Sequence, residues 1–190
     1  MNPAEDPFKE KPLEASSIID FWQKAGPQKW FISAPDFDEE IKALYGSVPD
    51  QALAGKYDKW AEQTNECLAL ILVLDQFPRN IFRGSPKAFA FDEAAKEAAQ
   101  KIIDQGFDQA YQLPLKRFLY LPFMHSENLK DQRYCIELCE KANDPDGVNF
   151  GQIHLDVIEK FSRFPHRNEV LGRQSTPEEL KFLQDGGFQA

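Results

Sequence analysis

Apolar residues recur along the chain with the spacing of helices, and no segment alternates as a half-buried strand would. Leu13, Ile18, Ile19 and Trp22 fall on one helical face, and Gly26-Pro27 is expected to end this first helix. Periodicity, capping residues and breakers predict further helices over residues 36–44, 51–57, 65–76, 92–103, 114–121, 128–142, 149–161 and 176–183. Short connections between helices predict an all-α fold, a compact array of antiparallel helix pairs.

The segment 65–76 is apolar on nearly every face, which is typical of a buried central helix. Pro78 is expected to force Phe77 out of the α region and so to end this helix. Asp75 would then stand at a helix C-terminus, where a carboxylate is unfavourable by about 0.3–1 kcal/mol even when exposed. We therefore expect Asp75 to contact an arginine or His125.

Two segments that follow predicted helices resemble each other. Phe77-Pro78-Arg79-Asn80 and Phe164-Pro165-His166-Arg167-Asn168 share a Phe-Pro pair and an Arg-Asn pair, and in each a glycine next to an arginine follows. A third segment has Pro122 inside an apolar helical stretch, which predicts a break just before His125 and Glu127. The hypothesis is that the three segments converge on one cleft.

The residue types of this cleft suit a small anionic ligand. His125 or His166 would serve as acid or base, and Asp75 or Glu127 would orient the histidine. The ligand's phosphate or carboxylate would be held by polar side chains of the two Phe-Pro segments, namely Arg79, Asn80, Arg83, Arg163, Arg167 and Asn168. The alternative is a helical interaction scaffold whose groove takes a peptide, with the same polar residues only fixing helix ends. Solvent exposure of the polar groups would discriminate between the two.

Composition narrows the function further. The 190 residues predict one helical domain over 13–190, preceded by a flexible arm over 1–12. The 22 basic and 31 acidic residues give a net charge of −9, which disfavours a nucleic-acid partner. A polar N-terminus and a longest apolar run of only 68–74 predict a cytoplasmic protein without membrane contact. The sequence makes no prediction of oligomeric state.

Metal and cofactor chemistry have no signature in the sequence. The three cysteines are expected to be reduced thiols, because their number is odd and Cys135 and Cys139 lie one helical turn apart. The histidines and carboxylates lack the helical spacing of paired metal ligands, so no metal site is predicted. The glycine patterns of phosphate-binding and dinucleotide-binding loops are absent too, so no cofactor is predicted.

Three motifs in order carry a resemblance to a known family. With Leu74-Asp75-Gln76-Phe77-Pro78-Arg79-Asn80, Pro122-x-x-His125-Ser126-Glu127 and Phe164-Pro165-His166-Arg167-Asn168, the chain resembles bacterial proteins of domain of unknown function 924 over residues 18–186. This resemblance implies an all-helical fold similar to tetratricopeptide-repeat superhelices, and it implies no substrate or catalytic residue. Two positions depart from the family pattern: Met124 stands where many relatives have an acidic residue, and Ser162 where glycine is usual.

Overall fold

The computed structural model describes residues 12–30 and 34–188, and every regular element in these ranges is helical. The all-α prediction is therefore confirmed for this part of the chain. The arm predicted for residues 1–12 lies outside it, apart from residue 12. The α-helices of the described ranges are α1 (Ala15–Ala25), α2 (Pro27–Trp30), α3 (Pro35–Tyr45), α4 (Val48–Leu53), α5 (Cys67–Ile71), α6 (Phe77–Ile81), α7 (Asp92–Asp104), α8 (Leu115–Phe118), α9 (Leu121–Met124), α10 (Leu129–Lys141), α11 (Pro145–Phe161) and α12 (Pro177–Gln184).

Shorter helical turns fill several of the connections. One is a π-helical turn between α5 and α6, over Leu72–Gln76. Four 3₁₀ turns lie at Asp58–Glu62, Pro86–Phe89, Phe107–Ala110 and Pro165–Arg167. None of the helices in the described ranges is both long and apolar enough to cross a bilayer.

The central helix is longer than the sequence predicts. The chain continues from α5 through the π-helical turn into α6, and Phe77 keeps helical dihedral angles of φ −58° and ψ −41°. Pro78 follows the π-helical turn almost directly, and the altered hydrogen-bonding pattern of that turn lets the helix continue past a residue without a backbone N–H. The prediction that Pro78 ends the helix is therefore wrong, and Asp75 lies within a helical segment that ends at Ile81.

Burial of the central segment against aromatic rings forms the main core. All residues of α5 and of the π-helical turn are buried. The Trp22 ring lies 5.9 Å from that of Phe77 and 5.5 Å from that of Phe118, so α1, α6 and α8 meet around one indole. A smaller cluster of Val157, Ile158 and Phe164 lies beneath α12 and includes Phe161, Phe182 and Phe188 at its edge.

The second half of the chain differs from prediction at two helix starts. The predicted helix 114–121 is split into α8 and α9, so the break falls at Leu119-Tyr120 and Pro122 lies in the first turn of α9. The last long helix begins at Pro145 and not at Asn149, because the Asp144 side chain caps it by accepting a hydrogen bond from the Gly147 N–H at 3.1 Å.

Two signals of helix ends behave as the sequence predicts. Asn128 caps α10 by accepting a hydrogen bond from the Lys130 N–H, and Thr176 forms a capping box with Glu179 at the start of α12. At the end of α11, Ser162 adopts a left-handed conformation with φ +58°. Glycine adopts this conformation at less cost, which gives a physical reason for the glycine that the family resemblance leads one to expect here.

Candidate functional site

Asp75 lies in the π-helical turn and has no exposed surface. Its carboxylate accepts three hydrogen bonds: from His125 Nδ1 at 2.8 Å, from Arg79 Nη2 at 3.1 Å and from Gln76 Nε2 at 2.6 Å. π-Helical turns are rare and often carry functional side chains. The prediction that Asp75 contacts an arginine or His125 is confirmed, since it contacts both.

Asp75 and His125 form a buried hydrogen-bonded pair, and the surrounding charges keep the shared proton on the histidine. Burial acts to raise the pKa of Asp75, but His125 and Arg79 outweigh it and hold that pKa well below its usual value. Burial and the Arg79 charge lower the pKa of His125, against the attraction of Asp75. Neutral His125 therefore donates from Nδ1 to the carboxylate. Its Nε2 makes no hydrogen bond among the described residues, and 15% of the side chain is exposed.

Asp92 connects the two Phe-Pro segments. One of its oxygens accepts from Arg79 Nη2 at 2.9 Å, and the other lies 3.5 Å from Arg167 Nη1. The two similar segments therefore meet through one carboxylate at the start of α7. We call Asp75, Arg79, Asp92, His125 and Arg167 the Asp92 cluster.

The Arg167 guanidinium packs against two phenyl rings. Its Cζ lies 4.7 Å from the ring centre of Phe89 and 4.5 Å from that of Phe164, which are cation–π distances. Burial, and then the like charge of Arg79, lower the pKa of Arg167 to about 10. The guanidinium is thus held by two rings and lies close enough to Arg79 for the two charges to repel each other.

All three histidines of the chain lie beside this cluster. The His154 ring lies 6.4 Å from that of His125, and its Nδ1 donates to the Phe150 carbonyl at 2.8 Å. Burial lowers the pKa of His154 to about 3, and burial with the Arg167 charge lowers that of His166 to about 4. The three rings are neutral at pH 7.

Several buried donors of this region have no partner among the described residues. They include the Nε atoms of Arg79, Arg167 and Arg173, and His166 Nδ1 is likewise without one. Buried polar atoms are nearly always hydrogen-bonded in folded proteins, so these unpartnered atoms are unusual. A ligand with several acceptor oxygens would satisfy it.

Comparison with known proteins agrees with these motifs. The family model described as bacterial protein of unknown function (DUF924) matches residues 18–187. The chain belongs to this family. The solved structure of a protein of unknown function, ATU0120 from Agrobacterium tumefaciens, is 40% identical to this chain in sequence and superposes on it with a TM-score of 0.87. The match covers 90% of this chain and 97% of that one. No curated protein matches the chain.

In this DUF924 chain Glu127 binds the second Phe-Pro segment and not a histidine. Its oxygens accept from Arg173 Nη1 at 2.7 Å, from Arg173 Nη2 at 2.9 Å and from the Phe164 N–H at 2.8 Å. These hydrogen bonds outweigh burial and lower the pKa of Glu127. Of the two carboxylates predicted to orient a histidine, Asp75 does so and Glu127 fixes the backbone before His166.

The structure does not bring four of the predicted ligand-binding residues into the Asp92 cluster. Asn80 and Arg83 both donate to Asp38 of α3, at 2.6–2.9 Å. Arg163 and Asn168 both donate to Glu179 of α12, at 2.6–3.2 Å. The single cleft wall predicted from the sequence is thus divided into the cluster and two separate ion-pair groups, because a nearby carboxylate satisfies each of the other side chains.

Sequence reasoning missed the carboxylates that organise these groups. The sequence assigns no site role to Asp38, Asp92 or Glu179, although all three bind arginines. No spacing signal links Asp92 to Arg167, which is 75 residues away. Among residues 12–30 and 34–188, no three His, Cys, Asp or Glu side chains are grouped so that they could hold a metal ion.

Proposed function

We propose that the Asp92 cluster binds a small anion, such as the phosphate or carboxylate group of a metabolite. One observation carries the proposal: Arg79 Nε, Arg167 Nε and His166 Nδ1 are buried without hydrogen-bond partners among the described residues. Arg79 and Arg167 share Asp92, and His166 precedes Arg167 in the chain. A tetrahedral or planar oxyanion offers acceptors to both guanidinium groups at once.

The electrostatics of the cluster support an anion over a cation. Burial lowers the pKa of His125, Arg167 and His166, and the positive charge of a neighbouring arginine lowers each of them further. Additional positive charge is therefore disfavoured beside these residues.

His125 is the residue of the predicted catalytic set whose geometry suits proton exchange with such a ligand. Asp75 holds the proton on Nδ1, so the lone pair is on Nε2 of a partly exposed ring. In the described part of the chain no carboxylate lies within hydrogen-bond distance of His166, and Glu127 is occupied by Arg173. In this proposal His125 takes up a proton when an anion binds, and calorimetry in buffers of different ionisation enthalpy would detect it.

An interaction scaffold is the second candidate function. It is favoured by the Asp75 carboxylate, which already accepts three hydrogen bonds from protein groups. In that reading the chain is a tetratricopeptide-like superhelix that takes a peptide, and the ion pairs only fix helix ends. For either role we expect a single cytoplasmic domain over 13–190 without a nucleic-acid partner, since the net charge is −9.

Titration calorimetry with inorganic phosphate tests the anion site against the scaffold. The Arg167→Met variant should lose affinity by about tenfold or more, as expected for removing a charged hydrogen-bond donor. Arg133→Met is the matched control, because Arg133 is 60% exposed and pairs only with Glu159 at the surface. Arg133→Met should bind as the wild type does.

A variant that only disturbs folding is recognised by its thermal midpoint in the absence of phosphate. Arg167→Lys keeps the positive charge, but an ammonium group cannot stack on the Phe89 and Phe164 rings as the planar guanidinium does. This variant should therefore bind phosphate with intermediate affinity. Equal affinity of Arg167→Met and the wild type, or no binding by the wild type, would contradict the anion site.

A further inference from the structure

A phenyl ring from the segment after α12 already occupies a place next to the Asp92 cluster. The Phe188 ring centre lies 4.3 Å from that of His154, 5.6 Å from that of His166 and 6.3 Å from that of Phe164. We call the place formed by His154, Phe164 and His166 the ring seat. Aromatic rings at these separations attract each other beyond their buried area.

The ring seat and the anion-binding nitrogens are joined by shared residues. Phe164 contacts both the Phe188 ring and the Arg167 guanidinium, whose Cζ lies 4.5 Å from the centre of the Phe164 ring. His166 also contacts Phe188, and its Nδ1 is one of the buried atoms without a partner. A molecule with a ring in the seat would therefore place a substituent towards Arg167.

Two glycines directly before Phe188 set the direction in which the chain leaves α12. Gly186 has φ +80°, a left-handed conformation that favours glycine. A Cβ on Gly187 would lie 2.5 Å from the Phe182 ring, so any other residue at this position would have to displace that ring. The contact made by Phe188 is thus set by local geometry.

We propose that the site takes an anion that carries an aromatic ring, an aryl phosphate or aryl carboxylate, and that Phe188 fills the ring's place when no ligand is bound. The ring enters the seat as Phe188 leaves it, and the anionic group binds Arg167 and Arg79. The anionic half of this inference rests on the proposed function, whereas the ring seat stands on the contacts of Phe188.

Calorimetry with phenyl phosphate and inorganic phosphate on the full chain tests the proposal. Phe188→Ala removes the competing ring, so it should bind phenyl phosphate about tenfold more tightly than the wild type does. Inorganic phosphate should bind both equally. Leu180→Ala is the control, because Leu180 is an apolar residue of α12 that is 48% exposed. It should leave both affinities unchanged.

The ring seat is overturned if Phe188→Ala binds phenyl phosphate no more tightly than it binds inorganic phosphate. A failure of the proposed function looks different, since neither protein would then bind inorganic phosphate. In that case benzyl alcohol, which has the ring without the charge, still tests the seat. It should shift the NMR signals of His154 and His166 in Phe188→Ala more than in the wild type, and equal shifts would refute the seat.

Discussion

A carboxylate without any exposed surface needs its charge compensated, and Asp75 obtains this from three donors. Gln76 and Arg79 are close in sequence, whereas His125 comes from the end of α9, 50 residues away. The hydrogen bond from Arg79 follows from the helical i, i+4 spacing of Asp75 and Arg79. The demand for a partner was predictable from an acid at the end of an apolar run, and both predicted partner types are present.

Asp75→Asn removes the charge but keeps the side-chain shape. Arg79 and His125 then face a neutral amide inside the protein, and the free energy of unfolding should fall by roughly 3 kcal/mol, as for other broken buried ion pairs. Urea denaturation measures this change. Asp50→Asn is the control, because Asp50 pairs with Lys87 at the surface, where both side chains are about half exposed, and should cost at most about 1 kcal/mol. Equal losses in the two variants would remove the Asp75 pair from this account.

The buried histidines make the protein sensitive to mild acid. The pKa of His154 is lowered to about 3 and that of His166 to about 4, so the unfolded chain binds protons more readily below pH 6.5. Their contribution to stability is complete above pH 6.5 and is lost as the pH falls towards the folded values. Each histidine should reduce the free energy of unfolding by up to about 1.4 kcal/mol per pH unit in this window.

His154→Leu tests this pH dependence. Denaturation at pH 7, 6 and 5 gives the free energy of unfolding at each pH. As the pH falls, this free energy should decrease less steeply in the variant than in the wild type, by the contribution of one histidine. The carboxylates with lowered pKa, among them Asp75, Glu127 and Glu179, lose their contribution to stability only as the pH falls below about 5, and both proteins share that loss. Parallel stability curves for the two proteins would show that His154 does not titrate on unfolding.

At the scale of helices, the sequence predicts elements well where a cap or periodic apolar face defines them. The Thr176 capping box and the Asn128 cap lie where predicted, since these side chains satisfy backbone N–H groups locally. Prolines were less reliable. Pro78 and Pro122 were expected to break helices, yet the helix continues past Pro78 and Pro122 lies in the first turn of α9.

The π-helical turn explains the most consequential error at this scale. A turn over Leu72–Gln76 changes the hydrogen-bonding pattern just before Pro78, and the helix continues. Periodicity of 3.6 residues cannot indicate where this turn occurs, because the segment 65–76 is apolar on nearly every face and offers no polar face whose rotation could be followed. The consequence for the site is that Asp75 lies beside Arg79 on a continuous helical segment.

For the whole molecule, the approach of the two Phe-Pro segments was predictable, and the carboxylate that joins them was not. Their similar sequences suggested that they meet, and Arg79 and Arg167 do meet at Asp92. The division of the predicted cleft into separate groups depends on Asp38 and Glu179, which reach their arginines only through tertiary packing. Long-range pairs of this kind leave no spacing pattern in a single sequence.

A crystal structure of the protein grown with selenate tests the central claim, an anion site at the Asp92 cluster, most directly. Selenate has the shape and charge of sulfate, and its anomalous scattering locates it without ambiguity. The account predicts an anomalous peak within hydrogen-bond distance of Arg79 Nε or Arg167 Nε and close to His166. An occupied selenate site elsewhere, with these nitrogens hydrogen-bonded to other protein groups, would contradict it.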